Sequence, residues 1–159
     1  MGHPLELRHL ANSCIPLFCI LTVILAAPST RIHAQAAVSI RVQVIYAANE
    51  PGGVDNRLGG LAADLQRTFR YSMYQLLGAP QGSVALNQAW TTSLPDDRRL
   101  EIVPTAIQGG QYSLTVRVLS SGGQALVNTA VRLRSGGSPA LVGGLTHQKG
   151  VLIIAITAG

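Results

Sequence analysis

The sequence predicts an α+β fold: a mainly antiparallel β-sheet of six to seven strands with one amphipathic helix packed on one face. Three observations predict it. Apolar and polar residues alternate in several separate stretches from Val38 onward, the period-two signature of half-buried strands. One segment only, residues 55–77, repeats its apolar residues at steps of three and four. Clusters of glycine, proline or aspartate punctuate the boundaries. A helix with a single apolar stripe needs a sheet face to cover. The expected sheet is therefore curled or folded over with the helix on one side, or a β-sandwich whose end the helix caps.

Ahead of this body, residues 1–34 read as a secretory signal peptide. A polar start carrying Arg8 leads into an apolar run at 14–27 (CIPLFCILTVILAA), and 28–34 (PSTRIHA) breaks it. Ile32-His33-Ala34 fits the small-residue cleavage pattern, with Gln35 as the new N-terminus. The run has 14 residues, short of the roughly 20 that span a membrane as a helix. Pro16 and Pro28 further weaken an uncleaved anchor, which is the alternative. Cys19 follows Leu17-Phe18 rather than a small residue, which argues against lipidation there.

Cleavage would remove Cys14 and Cys19, the two cysteines of the chain. Residues 35–159 then form a single exported domain without disulfides, thiol catalysis or cysteine metal ligands. A body of that size buries about two-thirds of its unfolded surface, enough for a core to hold it alone. The chain carries 12 Lys+Arg against 7 Asp+Glu, a net charge of +5. Loss of Arg8, Arg31 and Glu6 with the leader leaves ten cations against six acids, and all but Lys149 are arginine. Outside the cytoplasm such a balance favours an acidic envelope protein or an anionic surface as partner, and not nucleic acid.

The elements follow in order. Val38, Ile40, Val42, Val44 and Tyr46 alternate with Ser39, Arg41, Gln43 and Ile45 as a strand. A turn cluster at 49–53 follows, and Asp55 is placed to cap a helix by accepting from free backbone N–H groups. In that helix Leu58, Leu61, Leu65, Phe69, Met73 and Leu76 form the stripe over about five turns, with Gly78 and Pro80 as the stop. Val84, Leu86 and Trp90 share even spacing as one strand over 83–90. Residues 94–97 turn, 99–107 extend to Gly109-Gly110, and Tyr112, Leu114, Val116 and Val118 alternate. Residues 120–123 read as a hairpin turn, after which 125–134 alternate up to Gly136-Gly137. The short segment 139–142 belongs at an edge. Residues 151–156 (VLIIAI) are apolar on both faces, as in a central strand covered on both sides.

Candidate chemistry is sparse, and no catalytic, metal-binding or cofactor-binding set emerges. Asp96, Asp97 and Glu101 are the one close group of carboxylates; a turn with local hydrogen bonding explains them better than acid–base work. His147 falls at a hairpin tip and reads as a solvent-exposed loop histidine. Arg41, Arg117, Arg132 and Arg134 lie on the outward phase of their strands and would form one basic face for an anionic partner if those strands are neighbours. Tyr71 and Tyr74 flank the helical stripe, as a contact edge for a partner or as packing where helix meets sheet rim.

Residues 100–158 order a strand reaching a proline (LEIVPTAIQ), a Gly-Gly turn, two alternating strands (YSLTVRVLS and ALVNTAVRLRSGG), a valine-glycine-glycine-leucine step (ALVGGLT) and a closing apolar strand (VLIIAIT). This order resembles the C-terminal part of bacterial secretins, the outer-membrane gates of secretion and pilus machines. The resemblance implies an envelope module sharing local strand chemistry, not a pore subunit. The expectation is a non-enzymatic exported binding module of the bacterial cell envelope, periplasmic or extracellular. A carrier of a small apolar ligand between helix and sheet is the alternative, and a small hydrolase a lesser one.

Overall fold

The computed structural model describes residues 37–159, so the expected leader at 1–34 lies outside the described residues. Among the described residues there are nine strands: β1 Ala37–Ala48, β2 Met73–Gly78, β3 Gln81–Ala85, β4 Trp90–Leu94, β5 Arg98–Gln108, β6 Gln111–Leu119, β7 Ala125–Arg134, β8 Ala140–His147 and β9 Gly150–Ala158. A 3-10 turn, Asn56–Leu58, leads into the single α-helix, α1 Leu61–Thr68. Every ladder between these strands is antiparallel. One sheet has the order β2-β1-β9-β8, with β3 beside β2 along the same edge of β1; the other runs β4-β5-β6-β7.

The expected class is the observed one, in its folded-over form. The two sheets face each other as a sandwich rather than closing into a barrel. Period-two alternation puts Val38, Ile40, Val42 and Val44 of β1 and Leu152, Ile154 and Ile156 of β9 into the middle layer. Leu100, Ile102, Leu114, Val116, Val118 and Leu133 enter it from the second sheet. The opposite phase of β1 and β9 supplies Ile45, Ala47, Ile153 and Ala155 to a second, smaller core, where Leu58, Leu61, Leu65 and Tyr74 close over them. β9 is therefore apolar on both faces because both faces are covered: one by the partner sheet, the other by α1. Among the described residues no such cover lies over the second sheet, whose outward face carries Arg99, Glu101, Arg117, Asn128, Arg132 and Arg134.

Three elements differ from the sequence reading. The short edge segment expected at 139–142 is the start of β8, which runs on to His147. The helix expected over 55–77 ends at Thr68, and its final residues from Met73 to Leu77 belong to β2. Leu58, Leu61 and Leu65 are buried as the stripe requires, but Phe69 turns extended while its N–H still bonds Leu65 O at 2.8 Å. Met73 and Leu76 then belong to the strand, and Leu77 is 41% exposed. The reason is tertiary. β1 needs a partner for its backbone groups at 44–48, and β2 pairs there, with Ala47 opposite Tyr74 and Ile45 opposite Leu76. Likewise 83–90 is not one strand. Asn87 at φ 61° turns the chain, so Val84 stays in the first sheet while Trp90 opens β4 in the second. These last two changes raise the strand number above the six to seven expected.

Among the glycines at close approaches, two shape the β8–β9 hairpin. A Cβ at Gly150 would overlap the carbonyl oxygen of Ala47 and lie 2.8 Å from Tyr46 Cε2, so only glycine lets β9 start against β1. A Cβ at Gly143 would meet the Phe69 ring at 3.2 Å. The valine-glycine-glycine-leucine step thus has a local role: it forms the bulge in β8 between Val142 and Leu145 and seats the residue that ends α1.

Candidate functional site

The four arginines of the expected basic face do not gather. Arg117 on β6 and Arg132 and Arg134 on β7 share the outward face of the second sheet, because each is out of phase with the buried Val116, Val118 and Leu133. Arg41 is out of phase with Ile40 and Val42 in the other sheet, so it faces away on the opposite side of the sandwich. Sequence alternation gives the phase of each strand but not its sheet, which is why the four looked equivalent.

The three that remain are not alike. Arg117 sits directly across from Glu101 in the β5–β6 ladder, and its Nε donates to Glu101 Oε1 at 2.9 Å. Arg132 and Arg134 are exposed, lie two residues apart on the edge strand β7, and make no ion pair among the described residues. Leu126, also outward on β7, is 45% exposed. The open face thus ends, at its β7 margin, in two free cations and an apolar side chain.

Arg41 lines a concavity of about 700 Å³ together with Ser39, Gln81, Ser83, Thr157 and the Gly136-Gly137 turn. Hydroxyls and one guanidinium in an open groove can take a small anion, but no buried polar group is aimed into it. Tyr71 and Tyr74 form no contact edge. Tyr74 is fully buried, and its hydroxyl donates to Phe69 O at 2.8 Å, holding a carbonyl that the helix end leaves free. Tyr71 is half-buried and stands edge-on to Tyr74, with ring centroids 6.3 Å apart. Both pack where the helix meets the sheet rim.

His147 corrects the reading of an exposed loop histidine. It does lie at the β8–β9 hairpin tip, opposite Gly150, but only 8% of it is exposed. Its Nδ1 is 2.8 Å from Asp96 Oδ2, and the ring stands perpendicular to Tyr46 with centroids 5.5 Å apart. Asp96 reaches it from the β4–β5 turn, where Asp96 and Asp97 adopt left-handed φ of 62° and 54°, a conformation aspartate tolerates through local hydrogen bonding. Arg98 completes the cluster: Nη2 donates to Thr146 O at 2.8 Å and Nη1 is 3.5 Å from Asp96 Oδ2. The three carboxylates therefore separate, Asp96 to His147 and Glu101 to Arg117, while Asp97 is exposed. The cluster fastens one sheet to the other by their hairpin tips. Asp96 and His147 lie 51 positions apart in the chain, and nothing in the spacing could have paired them.

Asp55 does cap the 3-10 turn, accepting from Arg57 N at 2.9 Å, and it also accepts from Leu76 N at 3.2 Å. The Arg57 side chain, which hydrogen-bonds both carboxylate oxygens, and then the Arg57 backbone N–H hold Asp55 well below the usual carboxylate range. The same partnership raises Arg57 above its ordinary value. This pair ties the turn before α1 to β2 and is structural. The helix–sheet interface itself is filled by Leu58, Leu61, Leu65 and Tyr74, which gives the carrier reading no support. Among the described residues no cluster of three or more His, Cys, Asp or Glu could hold a metal. No helix among them is long and apolar enough to cross a membrane.

The chain matches no protein-family model, no curated protein and no solved structure.

Proposed function

We propose that this chain is a non-enzymatic, exported binding module of the bacterial cell envelope that meets an anionic partner through the β7 margin of its open sheet. The observation that carries the reading is the unequal treatment of the sheet's charges. Arg117 is neutralised by Glu101, while Arg132 and Arg134, on the same strand as the exposed Leu126, stand exposed and make no ion pair among the described residues. Opposite charge on a partner would find two fixed cations there without first breaking an internal ion pair. The leader-like residues 1–34 support the exported address, and the resemblance of residues 100–158 to secretins supports the envelope.

Two measurements test it. The exported fraction of a bacterium expressing the full chain is expected to carry Gln35 as N-terminus; an intact Met1 on a cytosolic species refutes the address. Purified protein is expected to bind poly-glutamate at low ionic strength and to lose that binding as salt rises towards ~0.15 M, where screening acts within about 8 Å. The double variant Arg132→Ser with Arg134→Ser is expected to weaken binding by roughly three- to tenfold. Binding unchanged in that variant refutes the site.

A further inference from the structure

The two sheets present four outer strands among the described residues, and three are protected against further pairing. β4 is five residues long. The β2–β3 edge is broken between Gly78 and Gln81 by Ala79-Pro80. β8 is interrupted by its bulge, with Gly144 at φ 94°. Short strands, proline and bulges are the devices that blunt an edge. β7 carries a bulge only near its start, where Leu126 is the extra residue between the partners of Val118 and Leu119, and from Val127 to Arg134 it runs on without proline, glycine or a further break in register.

The hydrogen-bond phase shows which backbone groups lie free. Ser135 N donates to Gly110 O at 3.0 Å, so the neighbouring pair Gln111–Arg134 is a non-hydrogen-bonded pair in the antiparallel ladder. Counting back along the register, Tyr112–Leu133, Leu114–Val131, Val116–Thr129 and Val118–Val127 are the bonded pairs. The N–H and C=O groups of Asn128, Ala130 and Arg132 therefore point away from β6, at the open edge. Their side chains are the exposed ones, whereas Val127, Thr129 and Val131 face the middle layer and are only half-buried there.

We propose that the β7 edge is a strand-addition site for an extended segment of a partner protein in which acidic and apolar residues alternate. The inference rests on the anionic-partner reading above and names its form. Main-chain bonds to residues 128–132 would supply affinity, and alternate side chains specificity. The apolar set of the incoming strand would extend the middle layer over the open flank of Val127 and Val131, and the acidic set would lie beside Arg132 and Arg134. Charge decides against a second copy, since residues 35–159 carry ten cations against six acids and pairing β7 with itself would place four arginines along one seam.

The test uses the full chain and a short synthetic peptide alternating glutamate with valine, with its lysine–valine counterpart as control. The glutamate peptide is expected to bind, and the lysine peptide to bind at least about tenfold more weakly. Exchange of the Asn128, Ala130 and Arg132 amides is expected to slow by about tenfold or more in the bound state. Ala130→Pro removes one edge donor and no bond to β6, and is expected to weaken binding by at least about tenfold. Should that variant fail to fold by circular dichroism, the exchange data on the unaltered protein decide alone. Unchanged exchange, or full binding by folded Ala130→Pro, overturns strand addition; if Arg132→Ser with Arg134→Ser still weakens poly-glutamate binding, the broader reading survives that result. Loss of neither kind of binding in the double arginine variant overturns both. A concentration-dependent dimer that Ala130→Pro abolishes assigns the edge to a second copy and overturns the partner proposed.

Discussion

β9 and β7 are both long strands of the same sandwich, and they are made for opposite ends. In β9 both phases are apolar and both are covered, Ile154 by the second sheet and Ile153 by the core under α1. In β7 one phase lies open, the other is half-buried over most of its length, and one edge has no neighbour among the described residues. Burial of a large aliphatic side chain contributes about 1.5–3 kcal/mol, so β9 concentrates stability. What β7 gives up in stability it retains as free backbone groups and charge. The difference teaches that the helix does more than fill space: by covering one sheet it lets the other remain available.

The comparison can be broken at its strongest point first. Ile153→Ala, which opens a cavity in the core beneath α1, is expected to cost about 2–5 kcal/mol by urea unfolding. Leu126→Ala on β7 is expected to change stability by less than about 0.5 kcal/mol. Equal costs would show that the two strands are not differently loaded. Next is Gly150→Ala, which forces a methyl group onto Ala47 O at the start of β9. A loss of about 1–3 kcal/mol is expected, visible in the same unfolding curves.

Smaller effects probe the clasp between the sheets. A double-mutant cycle on Asp96→Ala and His147→Ala is expected to return a coupling near 1 kcal/mol, and a value of zero would mean that the hairpin tips are not fastened by this bond. Tyr46→Phe beside it is expected to be neutral or to stabilise by up to about 1 kcal/mol, since the hydroxyl is buried without a hydrogen-bond partner among the described residues. The smallest effect concerns the turn before α1. Because the native partners of Asp55 depress its titration, its contribution is present above the unfolded value near ~3.9. It is lost only as pH falls through the lower native value. Acid titration of stability in the parent protein and in Asp55→Asn should therefore diverge at neutral pH and converge under strong acid. Exposure of Arg57 to solvent limits the size of that gap.

The strands β5, β6, β7 and β9 were legible because their alternation, their turns and the doubly apolar run at 151–156 each point to a single conformation, whereas β8, read as the short segment 139–142, continues through Gly143-Gly144 to His147. The helix boundary was not. Steps from Leu65 to Phe69, Met73 and Leu76 satisfy helical spacing, yet Tyr74 and Leu76 also alternate as a strand does. Local pattern cannot choose between these when a vacant sheet edge is the deciding partner. The hydroxyl of Tyr74, read as flanking the helical stripe, became the cap of a helix that ended early.

Sequence alone determined which side chains could share a buried face, because apolar periodicity is set by the geometry of each strand and by nothing beyond it. It also determined the charge, the thiol-free composition of residues 35–159 and the caps that suit the turns. Only the tertiary structure decided which strand joined which sheet. That step separated Arg41 from Arg117, Arg132 and Arg134, brought Asp96 to His147 and left β7 at an edge. Each depends on packing one layer against another, a relation between distant residues that no window along the chain contains.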